Sequence, residues 1–265
     1  MGSFYFKKFA IRHTDSAMKV NTDGVLLPAL VSVLPTNSEL FRVLDIGTGT
    51  GVISLIIAQR LAQLHKADFE ICAIDIDADA AKEAQFNFEN SDWSQNLKSE
   101  HISLQSFLTR FKSDSNHKCE RANSKFSLII SNPPFFTNSL QAPSQRRTDA
   151  RHNNALPFSD LIKGAFELIE EDGVFAVVLP ADAGDPFIDL AKKHGLYPQR
   201  LCRVKTLAEK LEKRYLIEFS KNKKASFSEE TLVMQLSGGK YYTPEYCQLV
   251  ENFYLKDFPQ TTSGN

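Results

Sequence analysis

The sequence predicts an α/β protein: a doubly wound, mostly parallel, seven-stranded Rossmann-like sheet with an antiparallel C-terminal strand pair. Three observations predict it. Short apolar strands alternate with stretches of helical period. A glycine-rich loop, Asp45-Ile46-Gly47-Thr48-Gly49-Thr50-Gly51, joins the first such strand to the first such helix. The chemistry-bearing motifs all fall at the carboxyl ends of strands, where doubly wound sheets bind ligands.

The elements read in order. Phe41–Ile46 is a strand and Val52–Leu64 a helix, followed by a strand at Phe69–Ile74. Asp79–Asn90 carries Ala80, Ala84 and Phe88 at helical spacing. His101–Phe107 alternates weakly and reads as a third strand, with a polar loop over residues 112–124. Phe126–Ser131 is a strand stopped by Asn132-Pro133-Pro134, because proline cannot continue the ladder. Ser139–Asn154 is a long loop, of the kind that often carries function. Leu161–Ile169 is a helix closed by Asp172-Gly173, Val174–Leu179 a strand, and Phe187–His194 a helix with Gly195 as its stop. Gln199–Lys205 and Arg214–Phe219 form the antiparallel pair, and Thr231–Leu236 is one more strand. Residues 1–40 read as an N-terminal extension packed on a catalytic domain of residues 41–265.

Composition narrows the class. The 265 residues are 42% hydrophobic and 24% charged, with 20 Phe, which excludes a disordered chain. No apolar run approaches the roughly 18 residues of a membrane span. The 4 cysteines form no C-x-x-C pair, so a disulfide framework and a zinc site are not expected, and a reducing cytoplasm is. The formal charge of −1 hides an uneven distribution. Lys66–Glu100 holds nine acids against three bases, whereas Lys192–Lys224 holds eleven bases against three acids. A near-neutral protein can thus present a basic face to a polyanion, or simply carry solvated strand and helix faces.

The glycine loop suits a polar ligand near a helix N-terminus. Its spacing is G-x-G-x-G, not the G-x-G-x-x-G of dinucleotide enzymes. An acid before the first glycine repels a pyrophosphate and attracts an ammonium. Asp75, thirty residues on, can accept the hydroxyls of a ribose. Asp77 is a second ribose contact or a helix cap. Ribose, ammonium and carboxylate together describe S-adenosylmethionine.

Asn132-Pro133-Pro134-Phe135 offers rigid carbonyls without competing donors, an amide oxygen, and a ring on which a base can stack. Such a turn can hold a planar amino group by both hydrogens and aim its lone pair at a methyl donor.

D-x-G-x-G-x-G followed by N-P-P-F resembles the class I S-adenosylmethionine-dependent amino-methyltransferases. Members of that superfamily act on adenine N6, on guanine N2 of ribosomal RNA, or on the glutamine N5 of a protein, and the turn alone does not choose among them. Phe9-Ala10-Ile11-Arg12-His13 and Ala17-Met18-Lys19-Val20-Asn21-Thr22-Asp23-Gly24-Val25-Leu26-Leu27 resemble the tRNA1(Val) (adenine(37)-N6)-methyltransferases. So do Arg147–His152, Val178–Pro180 and the stretch from Glu245 to Leu255. The resemblance implies that Asn132, Pro133, Pro134 and Phe135 hold the target adenine. It implies that Asp45, Gly47, Gly49, Gly51, Asp75 and Asn132 hold the cofactor, with Thr22 near its methionine end. No metal is implied, the partner is the anticodon arm of a tRNA, and a monomer is expected. Two departures stand out. Where many such enzymes place an Asp for the cofactor adenine, this chain has Leu104-Gln105-Ser106-Phe107, leaving Ser106 or Gln105 as acceptor and the Phe107 amide as donor. Phe135 also replaces the commoner Tyr.

Arg146, Arg147 and Arg151 lie in the long loop after the turn, as candidates for RNA phosphates or for surface ion pairs. His13 and His152 are candidates for proton relay or phosphate contact. Phe4, Tyr5, Phe6 and Phe9 interleave with Lys7 and Lys8, either as an RNA-stacking arm or as a strand packing its rings on the core. A nucleotide-binding dehydrogenase or a non-catalytic module would leave Asn132–Phe135 unexplained.

Overall fold

The computed structural model describes residues 2–14, 19–33, 40–64, 68–114, 125–134 and 156–255. A hairpin of β1 (Ser3–Tyr5) and β2 (Ala10–Arg12) precedes α1 (Thr22–Leu30). The alternating unit then runs β3 (Phe41–Ile46), α2 (Val52–Gln63), β4 (Phe69–Asp75), α3 (Ala78–Glu89), β5 (Leu97–His101), α4 (Leu104–Asp114) and β6 (Phe126–Ser131). It continues with α5 (Phe158–Leu168), β7 (Ile169–Pro180) and α6 (Ala181–Lys193). The chain closes with β8 (Tyr197–Lys205), β9 (Glu212–Ser220), β10 (Ser228–Val233) and α7 (Pro244–Val250).

Eight strands form one sheet in the order β10-β8-β9-β7-β6-β3-β4-β5. β9 alone runs against its neighbours β7 and β8. The further strand expected at Thr231–Leu236 is β10, which runs over Ser228–Val233 and joins the edge parallel to β8, making the sheet eight-stranded rather than seven-stranded. The central strands are apolar at nearly every position because both faces are covered. Val43, Leu128 and Ile130 enter one core layer, with α1, α2, α7 and the hairpin. Leu44, Ile129 and Phe175 enter the other, with α4, α5 and α6.

The structure decides between the two readings of the N-terminal aromatics at Phe6 and Phe9. Both rings are buried and lie 4.7 Å apart, and Phe6 bridges to Tyr254. Tyr5 remains exposed.

Several expected elements need correction. The helix expected over Leu161–Ile169 with Asp172-Gly173 as its close runs over Phe158–Leu168, and β7 already begins at Ile169 and passes through Asp172 and Gly173. His101–Phe107 is not a strand: β5 ends at His101 and α4 begins at Leu104. Leu104, Phe107, Leu108 and Phe111 recur at helical spacing and pack on the second core layer, a period that outweighs the weak alternation before it. That helix also takes residues 112–114 from the expected polar loop; residues 115–124 lie outside the described residues. The helix expected from Phe187 begins at Ala181, its first turns disguised by Gly184 and Pro186. A Cβ at Gly184 would stand 2.1 Å from the Tyr215 ring, so close packing of α6 on β9 explains that glycine. Helix α1 was hidden by Gly24 and by Pro28 within it.

Candidate active site

The carboxyl ends of β3, β4 and β6 converge on one cleft. The loop after β3 folds on its own amides. Gly47 and Thr48 donate to Ile74 O at 2.8 and 3.2 Å, Gly49 to Asp75 Oδ2 at 2.9 Å, and Gly51 to Thr48 O at 2.9 Å. Gly47, Gly49 and Gly51 all have positive φ, a conformation that side chains disfavour. Where a Cβ would project from Gly47 or Gly49 there is no atom within 4 Å, so both face open space. At Gly51 it would stand 2.5 Å from the Phe88 ring, so this glycine serves packing against α3 instead.

Asp45 is wholly buried beneath the loop, not on the wall of the cleft. Its Oδ2 accepts from Thr48 Oγ1 at 2.8 Å and Ser54 Oγ at 2.7 Å. Its Oδ1 has no hydrogen-bond partner among the described residues. Burial pushes the carboxyl up to about 6, against the opposing pull of the two hydroxyls. At the end of β4, Asp75 accepts one amide on each oxygen, from Gly49 and from Asp77, both at 2.9 Å. Asp77 caps α3 by accepting from the Asp79 and Ala80 amides, the second of its two readings. Between them Ile76 is exposed, an apolar face beside the carboxylate.

Ser131 Oγ donates to Ile46 O at 2.8 Å and stitches the ends of β6 and β3 together. Asn132 follows, buried, with Oδ1 lacking a partner among the described residues. Pro133 is buried and Pro134 exposed. Asn132 shares the wall of a cleft with Gly47, Gly49, Thr50 and Val52. Lys19 and Asn21, from the segment entering α1, and Gly24 in its first turn line the same cleft. Asn21 Oδ1 accepts the Gly24 amide at 2.9 Å and caps that helix. Thr22 lies exposed on the first turn and does not line the cleft. Lys19 and Asn21 are thus the wall residues that sequence reasoning missed, although Asn21 three residues before Gly24 is a capping signal.

The donor role expected of the Phe107 amide is corrected. It donates to Ser103 O at 2.9 Å inside α4, and the Phe107 side chain is buried toward Phe126. Ser106 is exposed on the same first turn, its hydroxyl 3.0 Å from Ser103 Oγ. Phe135, Arg146, Arg147, Arg151 and His152 lie outside the described residues. The hairpin reaches the loop through Asn87, which donates to Thr50 O at 2.9 Å and Arg12 O at 3.0 Å and accepts from Arg12 N at 2.9 Å.

A family model described as "Methyltransferase small domain" matches residues 25–195. The tRNA1(Val) (adenine(37)-N6)-methyltransferase of Bacteroides fragilis is 40% identical over 253 residues, covering 96% of this chain and 98% of that protein. The chain belongs to the tRNA1(Val) (adenine(37)-N6)-methyltransferase family. Its relative of the same name in Trichodesmium erythraeum is 40% identical over 254 residues, with 96% and 98% covered. A crystal structure of a predicted O-methyltransferase from Agrobacterium tumefaciens superposes with a TM-score of 0.62. It covers 87% of this chain and 96% of its own at 18% identity, a likeness of fold alone. Family membership makes the chain a methyltransferase, and its cleft lies at the carboxyl ends of the strands, where doubly wound sheets bind ligands. No helix among the described residues is long and apolar enough to cross a membrane.

Proposed function

We propose that this enzyme transfers a methyl group from S-adenosyl-L-methionine to N6 of adenine 37 in tRNA1(Val). The carrying observation is the buried, unpartnered Oδ1 of Asn132 on the wall of the cleft, next to the glycine loop. A buried acceptor without a partner costs roughly 1–3 kcal/mol, which a donor from a ligand relieves.

In this reading the cofactor supplies an electrophilic methyl on a sulfonium. Asp75 accepts from the ribose hydroxyls with the lone pairs its two amides leave, and Ile76 gives the adenosine an apolar face. Gly47 and Gly49 let the ligand approach the backbone. Asp45 acts on the ligand's positive charge from beneath the loop, without touching it. Because the amides of Gly47, Thr48, Gly49 and Gly51 are engaged within the fold, the methionine carboxylate falls to Lys19 on the cleft wall. Ser106 stands near the adenine end.

Asn132 Oδ1 and a carbonyl of the Pro133-Pro134 turn accept the two hydrogens of the adenine amine. This draws nitrogen toward pyramidal geometry and aims its lone pair at the methyl. The N–C bond forms as the S–C bond breaks, and the acidified nitrogen then releases a proton to water. Phe135 stacks on the base, and the target must leave its own stack to arrive. The partner is the anticodon arm, with Arg146, Arg147 and Arg151 on its phosphates. The enzyme works as a monomer without a metal.

Asn132→Ala abolishes methyl transfer while S-adenosylhomocysteine still binds in calorimetry. Loss of cofactor binding with that change would contradict the assignment. Mass spectrometry of nucleosides from a strain lacking the gene identifies the product: N6-methyladenosine disappears from its tRNA. Disappearance of a methylated guanosine from ribosomal RNA, or of a methylated glutamine, would overturn the substrate.

A further inference from the structure

The basic stretch Lys192–Lys224 divides into two groups in the fold. Lys192 and Lys193 end α6, and Lys221, Lys223 and Lys224 follow β9, all at the amino end of the sheet, away from the cleft. Arg200 lies mid-strand in β8, and Arg203, Lys205, Lys210, Lys213 and Arg214 gather at the carboxyl end. β9 runs opposite to β7 with Arg214 facing Pro180, and Lys205 ends β8 facing Glu212. The tip joining β8 to β9, residues 206–211, therefore projects from the same end of the sheet as Asn132. Two inter-strand steps separate β6 from β9, on the order of 10 Å.

This tip is fastened in place. Lys205 Nζ donates to Ala208 O, Lys210 N to Leu207 O, and Gln235 N to Thr206 O, at 3.2, 3.0 and 2.9 Å. Arg214 Nε donates to Asp23 Oδ2 at 2.7 Å, and Asp23 precedes Gly24 on the cleft wall. Lys210 and Lys213 are exposed and have no ion pair among the described residues. Between them stands Leu211, 84% exposed, more so than any other large apolar side chain among the described residues. A lone exposed leucine needs no explanation. Here the leucine stands on a pinned turn at the cleft's end of the sheet, flanked by Lys210 and Lys213 with the acids Glu209 and Glu212 interleaved, and Glu212 is drawn off by Lys205 at 3.9 Å. An apolar tip beside two cations, at the end of the sheet that must receive an unstacked base, fits a single-stranded RNA loop.

We infer that the β8–β9 tip is the RNA-docking rim of this enzyme. Lys210 and Lys213 take backbone phosphates of the substrate loop, and Leu211 packs on the base beside the one drawn into the cleft, holding the gap open. The inference deepens the methyl-transfer reading and rests on it.

The test uses an unmodified tRNA1(Val) transcript with the full-length enzyme. Lys210→Glu and Lys213→Glu each weaken transcript binding roughly tenfold at low salt, and each lowers the slope of log affinity against log salt by about one. Leu211→Asp and the milder Leu211→Ala lower kcat/KM for the transcript, the former roughly tenfold. S-adenosylhomocysteine affinity and Tm stay at wild-type values in all four. Transcript affinity, salt slope and kcat/KM within twofold of wild type would overturn the inference and leave the methyl-transfer reading standing. A fall in S-adenosylhomocysteine affinity alongside the RNA effects would also overturn it, by showing a structural defect. A wild-type enzyme that binds S-adenosylhomocysteine but never methylates the transcript would remove the reading beneath it.

Discussion

The Gly49 amide donates to Asp75 Oδ2 at 2.9 Å, so the carboxylate that ends β4 also fixes the glycine loop of β3. Ligand affinity and loop geometry are therefore joined in one side chain. Asp75→Ala should weaken S-adenosylhomocysteine at least tenfold by calorimetry and cost about 1–3 kcal/mol of stability by denaturant unfolding, since the Gly49 and Asp77 amides both lose their acceptor. Asp75→Asn should keep more of the stability than of the affinity.

Burial raises Asp45 from its ordinary 3.8 to about 6. The folded chain then holds this proton more tightly than the unfolded chain does. The resulting stability is fully present below about pH 4 and is lost as pH rises through about 6. Asp45→Asn should flatten Tm across that window relative to wild type. Affinity for the sulfonium cofactor should rise as pH passes through about 6, and its neutral thioether product should gain less.

Gly51 and Gly49 have the same sign of φ but different surroundings. Gly49→Ala should cost only the backbone term, about 1–2 kcal/mol. Gly51→Ala adds a collision with Phe88 and should cost about 3 kcal/mol, as seen in thermal or denaturant unfolding.

Lys19→Met should lower affinity for S-adenosylhomocysteine roughly tenfold while leaving the decarboxylated analogue S-adenosyl-3-thiopropylamine almost unchanged. Calorimetry with the pair of ligands reads the ratio. An equal loss for both would remove Lys19 from the carboxylate.

Much of the cleft was legible because its parts are local. Gly47 to Gly51 announce a turn by their own conformational needs, and Pro133-Pro134 announce the end of β6. The rule that ligands gather at the carboxyl ends of strands then brings Asn132 beside the loop, as observed. What escaped reading depends on distant packing. Whether Asp45 faces the cleft or lies beneath it is decided by Thr48 and Ser54. Lys19 and Asn21 reach the wall only because α1 packs on α2, with Gly24 against Val52. Helix α4 was misread for a different reason: its four-residue apolar period follows a short alternating strand within one window.

Asn87 is committed on both ends of its amide, to Arg12 and to Thr50. A deletion carried past Arg12, or a fusion partner that pries the hairpin away, would strand two of its three bonds in the interior. The disturbance would reach the glycine turn by way of one side chain. Shortened versions of this enzyme made for crystallisation should therefore bind nucleosides poorly even when every residue from β3 onward is intact.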